Sequence, residues 1–353
     1  MKKIVTIIIL LSILILTSCS SISNNSGTDE SKLNVVFVAS LNTSESDINA
    51  QVKDELKVLQ KSAGITYSVV EAADKESYST YIKNLAGEKK YDLILTCGYS
   101  TSRALDSVAK DFPQQLFATI DYISNSSNVM SIAFKEEESA FYSGVMAALM
   151  TQTNTVGIIA SFKNQNEDYI YGFMTGVKAV NEGINTVIEY TDSYTDLEAG
   201  TTAVQKIKAQ GADIIYSAAA APTSSIILFA EKNNMKVINS DIYVYSQQSD
   251  ALISETSKKY KSSVDYIINA SIEMKNNTNT KSSSDNISTE LQYVGIAQEA
   301  FDFSISKSVP NDIKDKLKAV DIMLIDSDFI VPVNQSMYDN FDFTIFAGKA
   351  FKK

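Results

Sequence analysis

Asp121 and Asp241 each stand just after a short apolar, β-branched run, Leu116 to Ile120 in one case and Lys236 to Asn239 in the other. A carboxylate at a strand end can accept two sugar hydroxyls in bidentate fashion or meet a cationic ligand group, and it can equally cap a helix or close a turn. Tyr194 also follows an apolar run, and its ring offers a face for packing or for a flat ligand. The chain has no histidine and two cysteines, Cys19 and Cys97. Ser-His-Asp and Cys-His catalysis, histidine-based zinc sites and thiolate-rich clusters are therefore excluded. A carboxylate pair leaves glycoside or N-riboside hydrolysis as the enzymatic reading. Against it, Ser40-Leu41-Asn42 at the end of the first strand holds no cluster of aspartates for a metal. A formal charge of −11 argues against nucleic-acid binding through a basic surface.

These residues need elements to position them, and the 353-residue chain, 44% hydrophobic, is long enough for two domains. Val35 to Ala39 reads as a strand, and Ile48 to Gln60 as a helix with Val52, Leu56 and Leu59 on one face. Tyr67 to Val70, a helix from Ser77 to Leu85, Leu93 to Leu95, a helix from Ser102 to Lys110 and Leu116 to Ile120 follow in alternation. A helix from Glu137 to Met150 leads into the same grammar again: strands at 156–160, 186–190, 213–216 and 236–239, helices at 169–180, 197–210 and 223–232. Parallel strands need crossover helices, so the alternation predicts two doubly wound α/β lobes. The helix from Lys259 to Met274 is expected to give way to a surface loop, Lys275 to Ser288, rich in Asn, Ser and Thr. Cys97, closing an apolar strand, is expected to be buried and structural.

Lys2 and Lys3 precede the apolar run Ile4 to Leu16, which is shorter than the roughly 20 residues of a spanning helix and reads as a signal peptide, residues 1–18. Leu16-Thr17-Ser18-Cys19 resembles the lipobox of bacterial lipoproteins, which makes Cys19 the expected lipidation site. Residues 19–32, small and polar after the cysteine, read as a flexible tether. The expected location is thus the extracytoplasmic face of the cell membrane, held by a lipid anchor.

Six segments in order, Phe117 to Asp121, Asn128 to Phe134, Glu138 to Val145, Val156 to Ala160, Gly172 to Val177 and Gly211 to Tyr216, resemble the basic membrane protein family of ABC-transporter solute-binding lipoproteins, which includes PnrA-like purine-nucleoside binders. The resemblance implies a type I periplasmic-binding-protein fold with a ligand clamped between the lobes and an ABC permease as partner. It places ligand-binding aspartates at Asp121 and Asp241. Glu45 to Asn49 is similar to the family's Asp-x-Ser-Phe-Asn, so that Asn49 would read a base edge, while Ile48 stands at the stacking Phe and Asp47 at the Ser. Ser193 to Asp196 is similar to Ser-Phe-x-Asp, which makes Tyr194 an aromatic wall; Asp196 itself reads as a helix N-cap. Lys258 matches the lysine that bonds the ligand sugar. Ala220 to Ser225 departs from the family's Gly-Gly-Thr-Gly-like loop, and side chains intrude where glycine leaves room.

The expected lobes are residues 33–134 with about 252–280, and 135–251 with about 281–353. The expected function is capture of a nucleoside-like solute by cleft closure, without a cofactor and without catalysis. A same-fold sensor or regulatory lipoprotein, and a nucleoside hydrolase, are the alternatives.

Overall fold

The computed structural model describes residues 32–41, 46–71, 77–280, 289, 291–326 and 329–351. Cys19, the expected lipidation site, and the expected signal peptide, residues 1–18, lie outside the described residues.

The first sheet is built from β1 (Asn34–Ala39), β2 (Thr66–Glu71), β3 (Leu93–Cys97), β4 (Leu116–Ile120), β5 (Val129–Phe134) and β11 (Leu291–Val294). Its order is β11-β5-β4-β3-β1-β2, all parallel. The central strands β3, β4 and β5 are buried along their whole length, because helices cover both faces. Those helices are α1 (Ser46–Ser62), α2 (Tyr78–Gly87), α3 (Tyr99–Ala109) and α8 (Lys261–Thr280). Cys97 is buried in this core at 1% exposure, as the strand position requires.

The second sheet repeats the pattern with β6 (Thr155–Ala160), β7 (Asn185–Tyr190), β8 (Ile214–Ala218), β9 (Lys236–Asn239), β10 (Leu252–Lys258) and β12 (Phe301–Ile305). Its order, β12-β10-β9-β8-β6-β7, repeats that of the first sheet position by position, except that β12 runs antiparallel to β10. Helices α4 (Glu136–Met150), α5 (Glu167–Val180), α6 (Leu197–Ala209), α7 (Thr223–Lys232), α9 (Asn311–Asp326) and the short α10 (Gln335–Asp339) accompany it.

The chain crosses between the sheets three times: through α4 after β5, from β10 into α8, and from β11 into β12. The expected lobe boundaries are corrected here. Leu252–Lys258 belongs to the second sheet, pairing with β9 and β12, and Leu291–Val294 belongs to the first, pairing with β5. Partners distant in sequence decide such pairings, so local hydrophobicity does not carry the information. Helix α8 also runs on to Thr280, into the segment expected to be a loop.

The first crossing is tightly built. An added Cβ on Gly144 would lie 2.1 Å from the Phe173 carbonyl oxygen, and one on Gly176 would lie 2.1 Å from that of Phe141. Glycine at these positions lets α4 and α5 touch backbone to backbone.

Candidate functional site

In doubly wound sheets, ligands bind beyond the carboxyl ends of the strands. Four strand ends and two helix starts deliver their side chains to one buried cluster here. Lys258 ends β10, and its Nζ lies 2.9 and 3.1 Å from the two carboxylate oxygens of Asp121, beyond β4. The same ammonium lies 2.6 Å from Glu136, the first residue of α4, and 3.2 Å from Asp241, beyond β9. It sits 4.9 Å from the ring centre of Phe134, the last residue of β5. Asp121 follows a strand of the first sheet and Asp241 one of the second, and Glu136 and Lys258 stand at two crossings, so one ammonium ties both sheets and two crossings together.

Two tyrosines complete the cluster. Tyr169 donates to both oxygens of Asp241 at 3.2 and 3.0 Å, and Tyr260 donates to Asp121 at 3.2 Å. Asp121 holds a left-handed backbone (φ 64°), a conformation that a short polar side chain tolerates. The side chains of Lys258 and Asp241 are only 9% and 2% exposed, so the charges compensate one another rather than relying on water.

The compensation is incomplete. Burial pushes the Glu136 carboxyl up to about 8; Lys258 opposes the rise, while Asp121, Asp241 and Asp168 add to it. Asp168, at the start of α5, is pushed up to about 6 by burial, and Glu137 to about 7 for the same reason. For Lys258 burial acts to lower the pKa, yet Asp121, Glu136 and Asp241 together hold it well above the usual lysine range. Lys258 thus keeps its charge, while burial favours the neutral form of the Glu136 carboxyl. Among the described residues no group of His, Cys, Asp and Glu is arranged to hold a metal ion.

Asp121, Asp241 and Lys258 are therefore brought together, with Lys258 bonding both aspartates. Asn49 is elsewhere engaged. Its amide donates to the Ser40 carbonyl at 2.8 Å and its oxygen accepts from the Ser40 N–H at 3.2 Å, so it clamps the end of β1. Ile48 is half-buried and packed on the main core. The Asp47 side chain lies outside the described residues. Tyr194 is 46% exposed, bonds Gln165 through its hydroxyl and meets the Phe162 ring edge-on at 4.9 Å. Asp196 caps α6, accepting from the N–H groups of Glu198 and Ala199. In the Ala220 to Ser225 loop, Ala220 takes the left-handed backbone (φ 51°) that glycine would adopt without cost.

Glu136, Asp168, Tyr169 and Tyr260 were not singled out in the sequence. Glu136 and Asp168 resemble the acids that ordinarily favour a helix N-terminus. A signal for Glu136 exists nevertheless: α4 is almost entirely apolar after the third glutamate, and such a helix is buried, which brings its half-buried charged first turn against the interior.

Residues 32–335 match the family described as ABC transporter substrate-binding protein, PnrA-like. The CD4+ T-cell-stimulating antigen of Listeria monocytogenes is 33% identical over 172 residues, which is 48% of this chain and 47% of that protein. The chain thus matches about half the length of that relative. The ABC transporter nucleoside-binding protein BmpA of Lactococcus lactis is 28% identical over 73% of this chain and 75% of its own length. Transcriptional activator protein med of Bacillus subtilis is 33% identical over 45% of this chain and 48% of its own. Among solved structures, a solute-binding protein of an ABC transporter system from Aeropyrum pernix superposes with a TM-score of 0.61, at 16% identity, over 90% of this chain and 98% of that one. A transcriptional activator of the comK gene from Bacillus halodurans does so with a TM-score of 0.65, at 16% identity, over 84% and 99%. The fold is that of the type I periplasmic binding proteins.

Proposed function

The chain belongs to the PnrA-like family of ABC transporter substrate-binding proteins, and on that premise we propose that it captures a nucleoside or similar ribosylated molecule between its lobes and delivers it to an ABC permease. In this reading a lipid on Cys19 holds it at the extracytoplasmic face of the cell membrane. The observation that carries the proposal is the bridge of Lys258 to Asp121 and Asp241, one carboxylate from each sheet. A ribose presents neighbouring hydroxyls that both donate and accept. It can take over contacts these three groups now make with one another without leaving a buried charge alone. Moving the bridge from a direct to a ligand-mediated form would couple capture to closure of the lobes.

The name of the Lactococcus relative supports a nucleoside, and the excess of carboxylates disfavours a phosphorylated one. A second reading draws on the Bacillus subtilis relative, named as a transcriptional activator: the same capture would then serve signalling through a partner protein. The family and fold are those of solute-binding proteins, and an assay for released free base separates hydrolysis from binding.

Titration calorimetry of the chain from Ser20 onward against guanosine, adenosine, uridine and D-ribose tests the proposal. Saturable binding of a nucleoside is expected. If none binds while a non-ribosylated solute does, the nucleoside reading fails and the solute-binding assignment stands.

A further inference from the structure

A nucleoside needs a surface for its base as well as groups for its sugar, and Ile48, aliphatic and half-buried against the core, cannot supply a flat one. The order of the first sheet reverses between β1 and β3, which makes the gap between their carboxyl ends the switch point where ligands enter such folds. Tyr99 stands there, directly after Cys97 and Gly98, and is 61% exposed. Lone exposed rings are common on protein surfaces; this one is braced. Its ring centre lies 6.0 Å from that of Tyr122, the residue after Asp121, at 59°. The Arg103 guanidinium lies 5.9 Å from the Tyr99 ring centre, and an Arg103 nitrogen lies 3.4 Å from the Tyr99 hydroxyl.

The second lobe presents a matching feature. Its own switch point falls between β6 and β8, and Phe162 stands just beyond β6 with Tyr194 against it. The Tyr194 carbonyl accepts from the N–H of Ala221 beyond β8, which fixes the aromatic pair to the same strand ends. Burial raises the Tyr194 phenol, and the charge of Tyr99 adds a smaller rise.

We propose that Tyr99 is the first-lobe stacking surface for the ligand's flat ring, with Tyr194 on the opposite side and the Lys258 bridge holding the remainder of the molecule. The proposal rests on the nucleoside reading above and adds a residue that determines specificity. Arg103 and Tyr122 hold the Tyr99 ring in place, so little side-chain freedom is lost when a base settles on it. Any base has a π-face, and the clamp would therefore favour purines over pyrimidines by stacking area rather than by a hydrogen-bond code.

Guanosine serves as the probe. Because the chain contains no tryptophan, Tyr99→Trp introduces a single indole whose emission reports contact with a base. The expected results are quenching of that indole that saturates with guanosine, a loss of about tenfold or more in guanosine affinity for Tyr99→Ala, and near-full affinity for Tyr99→Phe. Tyr99 is exposed, and matching circular dichroism of all three variants guards against misfolding as the cause. Wild-type affinity in Tyr99→Ala, or unquenched emission from Tyr99→Trp at calorimetrically shown saturation, overturns the role of Tyr99 while the nucleoside reading stands. Failure of the wild-type protein to bind guanosine, adenosine or uridine overturns both.

Discussion

Lys258 is the residue on which the two sheets agree, and its removal should be costly. Lys258→Met leaves Asp121, Glu136 and Asp241 facing one another without a cation, a loss of about 3–5 kcal/mol by comparison with other broken buried pairs. Urea denaturation at pH 7 measures it, and part of the loss should return at pH 5, where the stranded carboxyls take up protons. The wild-type protein should show a related slope. Glu136 shifts from an ordinary 4.5 to about 8 on folding, so between those values the folded state holds a proton that the unfolded chain has released. The contribution of Glu136 to stability is fully present below that window and is lost as pH rises through it; Glu137 and Asp168 act with the same sign. The melting temperature is expected to drop from pH 6 to pH 8, and Glu136→Gln is expected to reduce that drop. An unchanged slope in the variant would show that Glu136 is ionised in the folded protein. For the ligand, Asp241→Ala should weaken guanosine by about 1.5–3 kcal/mol in calorimetry if its charge bonds a sugar hydroxyl.

At the scale of elements, the contact between α4 and α5 governs how the first crossing enters the second lobe. A methyl group at Gly176 has no room beside the Phe141 carbonyl, so Gly176→Ala must push the helices apart. A cost of about 1–3 kcal/mol is expected, as in other overpacked interiors. Gly87 makes the control: it lies in α2, nothing stands within 4 Å of its would-be Cβ, and alanine there should be neutral or stabilising by up to about 1 kcal/mol. Equal effects in the two variants, read from denaturation midpoints at constant slope, would refute close packing as the reason for Gly176. Because α4 begins at Glu136, strain at the helix pair should also reach the site, and Gly176→Ala should lower guanosine affinity while Gly87→Ala leaves it alone.

At the scale of the molecule, three crossings and a shared ammonium join the two sheets, and the proposed capture requires the lobes to rotate about those crossings. Small-angle scattering should give a smaller radius of gyration at saturating guanosine than without it. An identical profile at demonstrated saturation would mean that the ligand enters without closure. Attachment is a separate matter, checked in cells: Cys19→Ala should release the protein from membranes or leave it unprocessed, and incorporation of labelled fatty acid into that variant would disprove the lipid assignment.

The alternation of apolar β-branched runs with helical periodicity, and Asp121 and Asp241 behind their strands, were open to reading because period and strand-end position are local properties of the chain. The roles given to Asn49 and Ile48 rest on motif likeness, and the fold adds their neighbours: Asn49 bonds Ser40, and Ile48 packs against the core. Tertiary structure alone decided that Leu252–Lys258 pairs in the second sheet and Leu291–Val294 in the first, that Glu136 and Tyr169 join the charged cluster, and that Tyr99 stands at a switch point. The reason is physical: strand partners, the company a buried charge keeps and the resulting pKa are set by groups outside the local segment, as far as the 137 residues between Asp121 and Lys258. Nothing in the local pattern around either residue encodes that meeting.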